Sequence, residues 1–243
     1  MNKLPKAPLL EVIFELKWEI RDKNDLEKFQ YLHGDLYSKL KDSFPKRERL
    51  VPLDFPIEFL HNRPIYRFRS QEEYPLIQIG PGLITLNTIE EKYVWEEFND
   101  LSNTLLKTLF EIFSDLKKYD FIQPSLTYID FFSFNFQNAN VYDFISENLK
   151  LNFSQNFYET DKFPTNLNLG YYYETAVGDL SISLRKGKNN KNEDGIAMQI
   201  KISNKLSKVE ILEISKWLSE SHSLASSLFK QITEGSFYES FIK

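Results

Sequence analysis

The sequence contains no cysteine. That absence removes disulfides, thiolate metal sites and thiol nucleophiles together. An excess of positive charge is also missing, since the formal net charge is −5. Proteins that hold nucleic acid mainly through phosphates carry a basic stripe, because counterion release drives that binding. The charge balance therefore disfavours nucleic acid as a partner, with room left only for a local patch. No window approaches the roughly 18 apolar residues that a membrane-spanning helix needs. The opening MNKLPKAPLLEVIFELKWEI starts basic, but Glu11, Glu15, Lys17 and Glu19 interrupt it. It reads as neither signal peptide nor span, and a cytoplasmic protein with no membrane partner is the expectation. Histidine is scarce: His33, His61 and His222 are the only three, and none has metal-ligand spacing. No Gly-x-Ser-x-Gly nucleophile turn occurs. Gly80-Pro81-Gly82 precedes a strand rather than a helix, so it reads as a hairpin turn and not as a phosphate cradle. No cofactor is expected.

What is present is an apolar pattern. Hydrophobic residues make up 42% of the chain and aromatics 15%, enough for a sizeable core and against disorder. At 243 residues the chain is one large domain or two closely packed halves.

Leu10 to Ile20 alternates, with Leu10, Val12, Phe14, Leu16, Trp18 and Ile20 on one face and Glu11, Glu15, Lys17 and Glu19 on the other. This is a strand with one buried and one wet face, as in antiparallel sheets. A helix follows the Asp22–Asn24 turn and runs to about Ser43, carrying Leu26, Phe29, His33, Leu36 and Leu40. Residues 46–49 read as a charged link. Four strands are expected over about 50–60, 64–70, 76–79 and 83–87, punctuated by prolines. A long amphipathic helix then runs from Tyr93-Val94-Trp95 to about Leu116.

Phe121 to Phe136 is the next strong strand. Leu126, Tyr128, Asp130, Phe132, Phe134 and Phe136 share one face, while Ile129 and Phe131 lie on the other. Asn140 caps a short helix to Leu149, and residues 150–164 have no clear period. Strands at about 166–175, 179–186 and 196–202 come next, the last two joined by a Lys-, Asn- and Gly-rich tip over 186–195. Ser207 and Glu210 have the spacing of a capping box before a closing helix with Ile214, Leu218, His222, Ala225 and Phe229.

The order of elements repeats. Residues 1–118 and 121–243 each read strand, helix, meander, long helix. The expectation is an α+β fold of two β-α-β(meander)-α pseudo-repeats. They would form one extended antiparallel sheet with helices on one face, a saddle like that of the TATA-binding protein. Fold alone fixes no function.

Several short runs carry a resemblance. They are Ala7-Pro8-Leu9-Leu10-Glu11-Val12, Leu86-Asn87 followed by Tyr93, Trp95 and Phe98, Leu126-Thr127-Tyr128-Ile129-Asp130, and Leu228-Phe229 with Ile232-Thr233. In order and spacing the chain resembles a family of sporadically distributed bacterial and archaeal proteins of about this length with no assigned biochemical function. Thr127 and Asp130 stand where that family's strand has arginine and asparagine, so no role resting on that arginine carries over. The resemblance implies a gene that moves between genomes, alongside defence or toxin–antitoxin systems.

Two groups of residues are weighed as sites. Glu15-Leu16-Lys17, with Glu11 on the same face, has the spacing of metal-dependent nuclease strands, which need paired carboxylates and a lysine. Alternating Glu and Lys on a wet strand face is the commoner meaning. Tyr66, Phe68, Phe131 and Tyr172, with Arg67, Arg69 and Arg185, would place aromatics and cations on an open sheet face. Such a face suits a protein interface or base stacking. His33 and His222 fall on apolar helix seams, where packed, hydrogen-bonded histidines are usual. The leading expectation is a non-catalytic protein-interaction or regulatory module that binds a protein partner or itself. Nucleic-acid binding through the open sheet comes second and a metal-dependent nuclease third. Any site is expected on the sheet face that the long helices leave uncovered.

Overall fold

A computed structural model describes residues 4–152 and 164–243, so most of the stretch 150–164 lies outside the described residues. The chain forms nine strands and five α-helices among them. Their order is β1 (Leu9–Lys17), α1 (Lys23–Leu40), β2 (Lys46–Arg49), β3 (Tyr66–Arg69), β4 (Leu76–Gly80), β5 (Leu83–Ile89) and α2 (Trp95–Ile112). Then come β6 (Gln123–Ser133), α3 (Val141–Asn148), β7 (Asn168–Glu174), β8 (Asp179–Lys188), β9 (Asp194–Ser203), α4 (Ile211–Ile232) and α5 (Ser236–Ser240). All nine strands belong to one open antiparallel sheet, ordered β2-β3-β4-β5-β1-β6-β9-β8-β7.

The centre of the sheet is β1, flanked by β5 and β6. Phe14 sits opposite Leu86 on one side and Leu126 on the other. Because side chains alternate along a strand, this register puts Val12, Phe14, Leu16, Ile84, Leu86, Leu126 and Tyr128 on one face. Val12, Phe14 and Leu16 share a single core with Leu36 of α1, Leu105 and Leu109 of α2, Ile145 of α3 and Leu218 of α4. Fully burying each such side chain stabilises the fold by about 1.5–3 kcal/mol relative to exposure. The opposite face carries Glu11, Glu15, Lys17, Gln78, Thr85, Thr127, Gln199 and Lys201, and is polar.

Three expectations about elements are corrected. Residues 46–49, read as a link, form the edge strand β2, which pairs Arg47 with Phe68 and Arg49 with Tyr66. The apolar-looking stretch 50–60 is not a strand; it holds only a 3₁₀ turn at Ile57–Phe59. Pro52 and Pro56 have no N–H for a ladder, and Leu53, Phe55 and Phe59 are exposed. The charged Lys46-Arg47-Glu48-Arg49 run suits an edge, where charge discourages pairing with another sheet. Finally, α4 begins at Ile211 with no side-chain cap, so the Ser207–Glu210 box is not used. Instead Lys208 Nζ lies 3.2 Å from both Glu210 and Glu213.

Turns follow local chemistry. Gly82 adopts φ 76°, and a Cβ there would meet the Trp18 carbonyl oxygen at 2.6 Å. That glycine lets the β4–β5 hairpin close against the end of β1, where the Trp18 N–H donates to Gly82 O at 3.0 Å. The β8–β9 hairpin extends further than expected, leaving a short tip. There Asn189 Oδ1 accepts from the N–H groups of Lys191 and Glu193, at 3.0 Å each.

Candidate functional site

Tyr93, Trp95, Tyr128, Asp130 and His222 come from three separate parts of the chain and meet at one cavity. Tyr128 and Asp130 are two apart on β6, so both project to the helix-covered face. Tyr93 and Trp95 lie at the entry to α2, on either side of its N-cap residue Val94. His222 and Ala225 lie on the face of α4 that packs toward β6 and β9. The segment Leu4 to Leu9, just before and into β1, closes another side. The cavity's volume is about 140 Å³.

The polar groups form a chain. The hydroxyls of Tyr93 and Tyr128 are 2.8 Å apart. Tyr128 Oη lies 2.7 Å from His222 Nδ1. The Trp95 ring stacks on the imidazole, with centroids 3.7 Å apart and planes 8° from parallel. Burial lowers the His222 pKa to about 4, so the ring is neutral at pH 7. Burial also raises both tyrosines above their usual value, so both phenols stay protonated. With His222 neutral, Tyr93 can donate to Tyr128 and Tyr128 to Nδ1 of His222, so the line needs no outside donor.

Asp130 differs from these. Its side chain lines the same cavity and is 5% exposed. Among the described residues no hydrogen bond or ion pair reaches its carboxyl group. Burial raises its pKa to about 7, with no cation to oppose the change. Apart from Ser226, the other cavity walls are apolar or aromatic, among them Leu4, Ala7, Val94, Ile200 and Phe229. Among the described residues, no lysine or arginine lines the cavity.

His33 occupies a comparable seam on α1. It stacks on Tyr66 with centroids 4.1 Å apart and sits 2.9 Å from Arg47 Nη2 through Nδ1. Burial, then Arg47 and Arg49, lower its pKa to about 4. The Arg49 guanidinium is tied to backbone oxygens of Val51 and Pro52 at 3.0 and 3.2 Å. This cluster stitches β2 and β3 to α1 and contains no unpartnered buried group.

The residues expected to form an interaction face do not converge. Alternation places Arg67 and Arg69 on the polar face of β3 but turns Tyr66 and Phe68 to the core side, where Phe68 is fully buried. Tyr66 and Phe68 therefore leave that proposed face. Arg67 and Arg69 each lie 3.5 Å from Glu48. Arg185 donates to Gln199 Oε1 at 3.1 Å. Phe131 is on the polar face, yet it is nearly buried over Gly195, where a Cβ would meet its ring at 2.3 Å. Tyr172 is 83% exposed on the edge strand β7. From β3 to β7 is seven strand spacings, on the order of 34 Å.

The acidic group on β1 is also tied up. Glu15 lies 2.8 Å from Lys17 Nζ and accepts from Ser125 Oγ at 3.3 Å. Glu11 accepts from Asn87 Nδ2 at 2.8 Å. Among the described residues no group of three or more His, Cys, Asp or Glu side chains could hold a metal ion. Among them, too, no helix is long and apolar enough to cross a membrane.

The cavity was missed in the sequence because its parts are far apart: Tyr128 is 35 residues from Tyr93 and 94 from His222. One signal was available. Asp130 sits on the same strand face as Leu126, Tyr128 and Phe132, and an acid on an apolar face is costly unless it is used. Comparisons with known proteins name no relative: no family model, no curated protein and no solved structure matches this chain.

Proposed function

We propose that this protein is a non-catalytic binding module whose site is the cavity between β6, α4 and the start of α2. The observation that carries the reading is the Asp130 carboxyl, buried and without a partner in a largely apolar, aromatic-walled space. A buried carboxyl of this kind lowers stability at neutral pH. Proteins hold such groups mostly where a ligand or reaction needs them. Pockets that combine apolar walls with a few converging polar groups are the usual form of a small-molecule site. The Tyr93–Tyr128–His222 chain gives that site one rigid wall, since each hydroxyl and the imidazole fix the others.

Ligand-detected NMR with a set of benzene-sized fragments tests this reading. Binding is expected to the parent chain and to be lost in Ala225→Leu, which fills the cavity, with circular dichroism unchanged. Fragments that bind both proteins alike, or neither, would overturn it.

The strand order also supports an internal duplication. Outward from the centre it runs β1, β5, β4, β3 on one side and β6, β9, β8, β7 on the other, with β2 added at the outer edge of the first side. On this proposal residues 1–118 and 121–243 are two copies of one plan, joined through β1 and β6 into a TATA-binding-protein-like saddle. Superposition of the two halves in an experimental structure tests it.

A second reading concerns partners. The outer edge of β7 pairs with no described strand, and Tyr172 and Tyr173 on it are exposed. This favours docking of a protein partner or a second copy along that edge. Light scattering would then give a mass above the monomer that falls when Tyr172→Pro is introduced.

A further inference from the structure

The chemistry of the cavity limits what it can hold, and this inference rests on the binding reading above. The acidic group without a partner among the described residues is the Asp130 carboxyl, an acceptor once ionised. Once ionised it needs a positive charge, or at least strong donors, to offset its loss of hydration. Among the described residues, no lysine or arginine lines the cavity to supply that charge. His222 is neutral, and its Nδ1 is already taken up by Tyr128. A carboxylate or phosphate ligand would therefore enter beside an acid with no counter-charge. A purely apolar ligand would leave the carboxyl unpaired as before.

Aromatic rings supply the rest of the selectivity. Tyr93, Trp95, Tyr128 and Phe229 all line the space. A carboxylate set among aromatic rings favours a cation, because ring faces attract positive charge when water is excluded. Size sets the upper limit. The cavity's volume is about 140 Å³, and an apolar protein cavity of about 150 Å³ holds one benzene-sized molecule.

We infer that the cavity binds a compact amine whose ammonium pairs with the Asp130 carboxylate while its carbon skeleton fills the apolar space. The ammonium takes the place of the acid proton, so the site stays electrically neutral as it fills. The hydroxyls of Tyr93 and Tyr128 remain paired with each other and with His222, so they orient the ring wall rather than hold the ligand's charge. Linear polyamines fit poorly, because their second charge would meet no acid in the cavity.

Isothermal titration calorimetry on the full chain at pH 8 tests this with three probes of one shape: benzylamine, benzyl alcohol and toluene. Benzylamine is expected to bind at least about ten-fold tighter than benzyl alcohol, the margin of a hydrogen bond to a charged group. In Asp130→Asn that preference is expected to vanish while toluene binding is kept, which shows that the cavity survives the substitution. Equal binding of all three probes by the parent, or a preference that persists in Asp130→Asn, would overturn the amine assignment and leave the binding module standing. Binding of none of the three would overturn both.

Discussion

The Tyr128 hydroxyl lies 2.7 Å from Nδ1 of His222 across 94 residues of chain, and the two bind the middle of the sheet to its longest helix. Tyr128 is also the centre of the polar line, because Tyr93 reaches His222 only through it. Tyr128→Phe would leave both neighbours with an unpaired polar atom. The expected cost is about 1–3 kcal/mol, the usual penalty for a stranded buried group. Tyr93→Phe, at the end of the line, is expected to cost less. The double variant is expected to lose less than the sum, because the two share one interaction. Urea denaturation at pH 7 measures all three.

Asp130 makes an opposite prediction. Its folded-state pKa is about 7 against an ordinary value of 3.8. The folded protein thus keeps a proton that the unfolded chain releases. The resulting stability is full below pH 4 and is lost as pH rises through 7. The groups facing Asp130 are the Tyr93 and Tyr128 phenols, both protonated throughout this range. Asp130→Asn is therefore expected to be more stable than the parent at pH 8. The gain is up to about 4 kcal/mol, since each pH unit between the folded and ordinary pKa carries about 1.4 kcal/mol. It shrinks toward zero near pH 4. Thermal melts across pH 4–8 check this, and a variant less stable at pH 8 would contradict it.

His222 works against Asp130 in the same pH window. It faces Tyr128, Trp95 and, from the start of α2, Glu96. Its pKa is lowered from 6.5 to about 4. The folded state resists protonation, so its stability is present above pH 6.5 and is lost as pH falls through 4. Between about pH 4 and 6.5 the two contributions oppose each other, so the parent's stability is expected to change little there. Asp130→Asn should leave a stability that rises with pH across that window, and His222→Phe one that falls.

If an ammonium replaces the acid proton, binding must move protons. At pH 6 the parent is expected to release about one proton per benzylamine bound, and near none at pH 8. Calorimetry in buffers of differing ionisation enthalpy counts them. Asp130→Asn should release none at either pH.

Two glycines separate packing from propensity. At Gly195 a Cβ would meet Phe131 Cζ at 2.3 Å and the Phe132 carbonyl oxygen at 2.4 Å. Gly195→Ala is expected to cost at least about 1–3 kcal/mol. Because one of the clashing atoms is backbone, trimming Phe131 as well should restore only part of it. At Gly34, inside α1, a Cβ would meet nothing within 4 Å. Gly34→Ala is expected to stabilise by up to about 1 kcal/mol. Denaturant midpoints read both.

Much of the fold could be read from periodicity, because β1 and β6 must hide one face and their residues alternate accordingly. The edge was harder. β2 holds its place by backbone pairing with β3, which leaves no mark in Lys46-Arg47-Glu48-Arg49. Leu53, Phe55 and Phe59 look like strand residues, but Pro52 and Pro56 keep their stretch out of the ladder. The expected interaction face failed on parity: Tyr66 and Phe68 alternate with Arg67 and Arg69, so the four cannot share a face. The cavity is invisible to periodicity because Tyr93, Tyr128 and His222 each look like ordinary core or seam residues until the strand order brings them together. Only Asp130, an acid on an apolar strand face, stood out locally.

The most direct measurement is a crystal structure of the full chain soaked with benzylamine. The account predicts density for one ring among Trp95, Phe229 and Ala225, with the nitrogen within hydrogen-bonding distance of an Asp130 carboxyl oxygen. An empty cavity at saturating ligand, or a ring bound with its nitrogen turned away from Asp130, would contradict it.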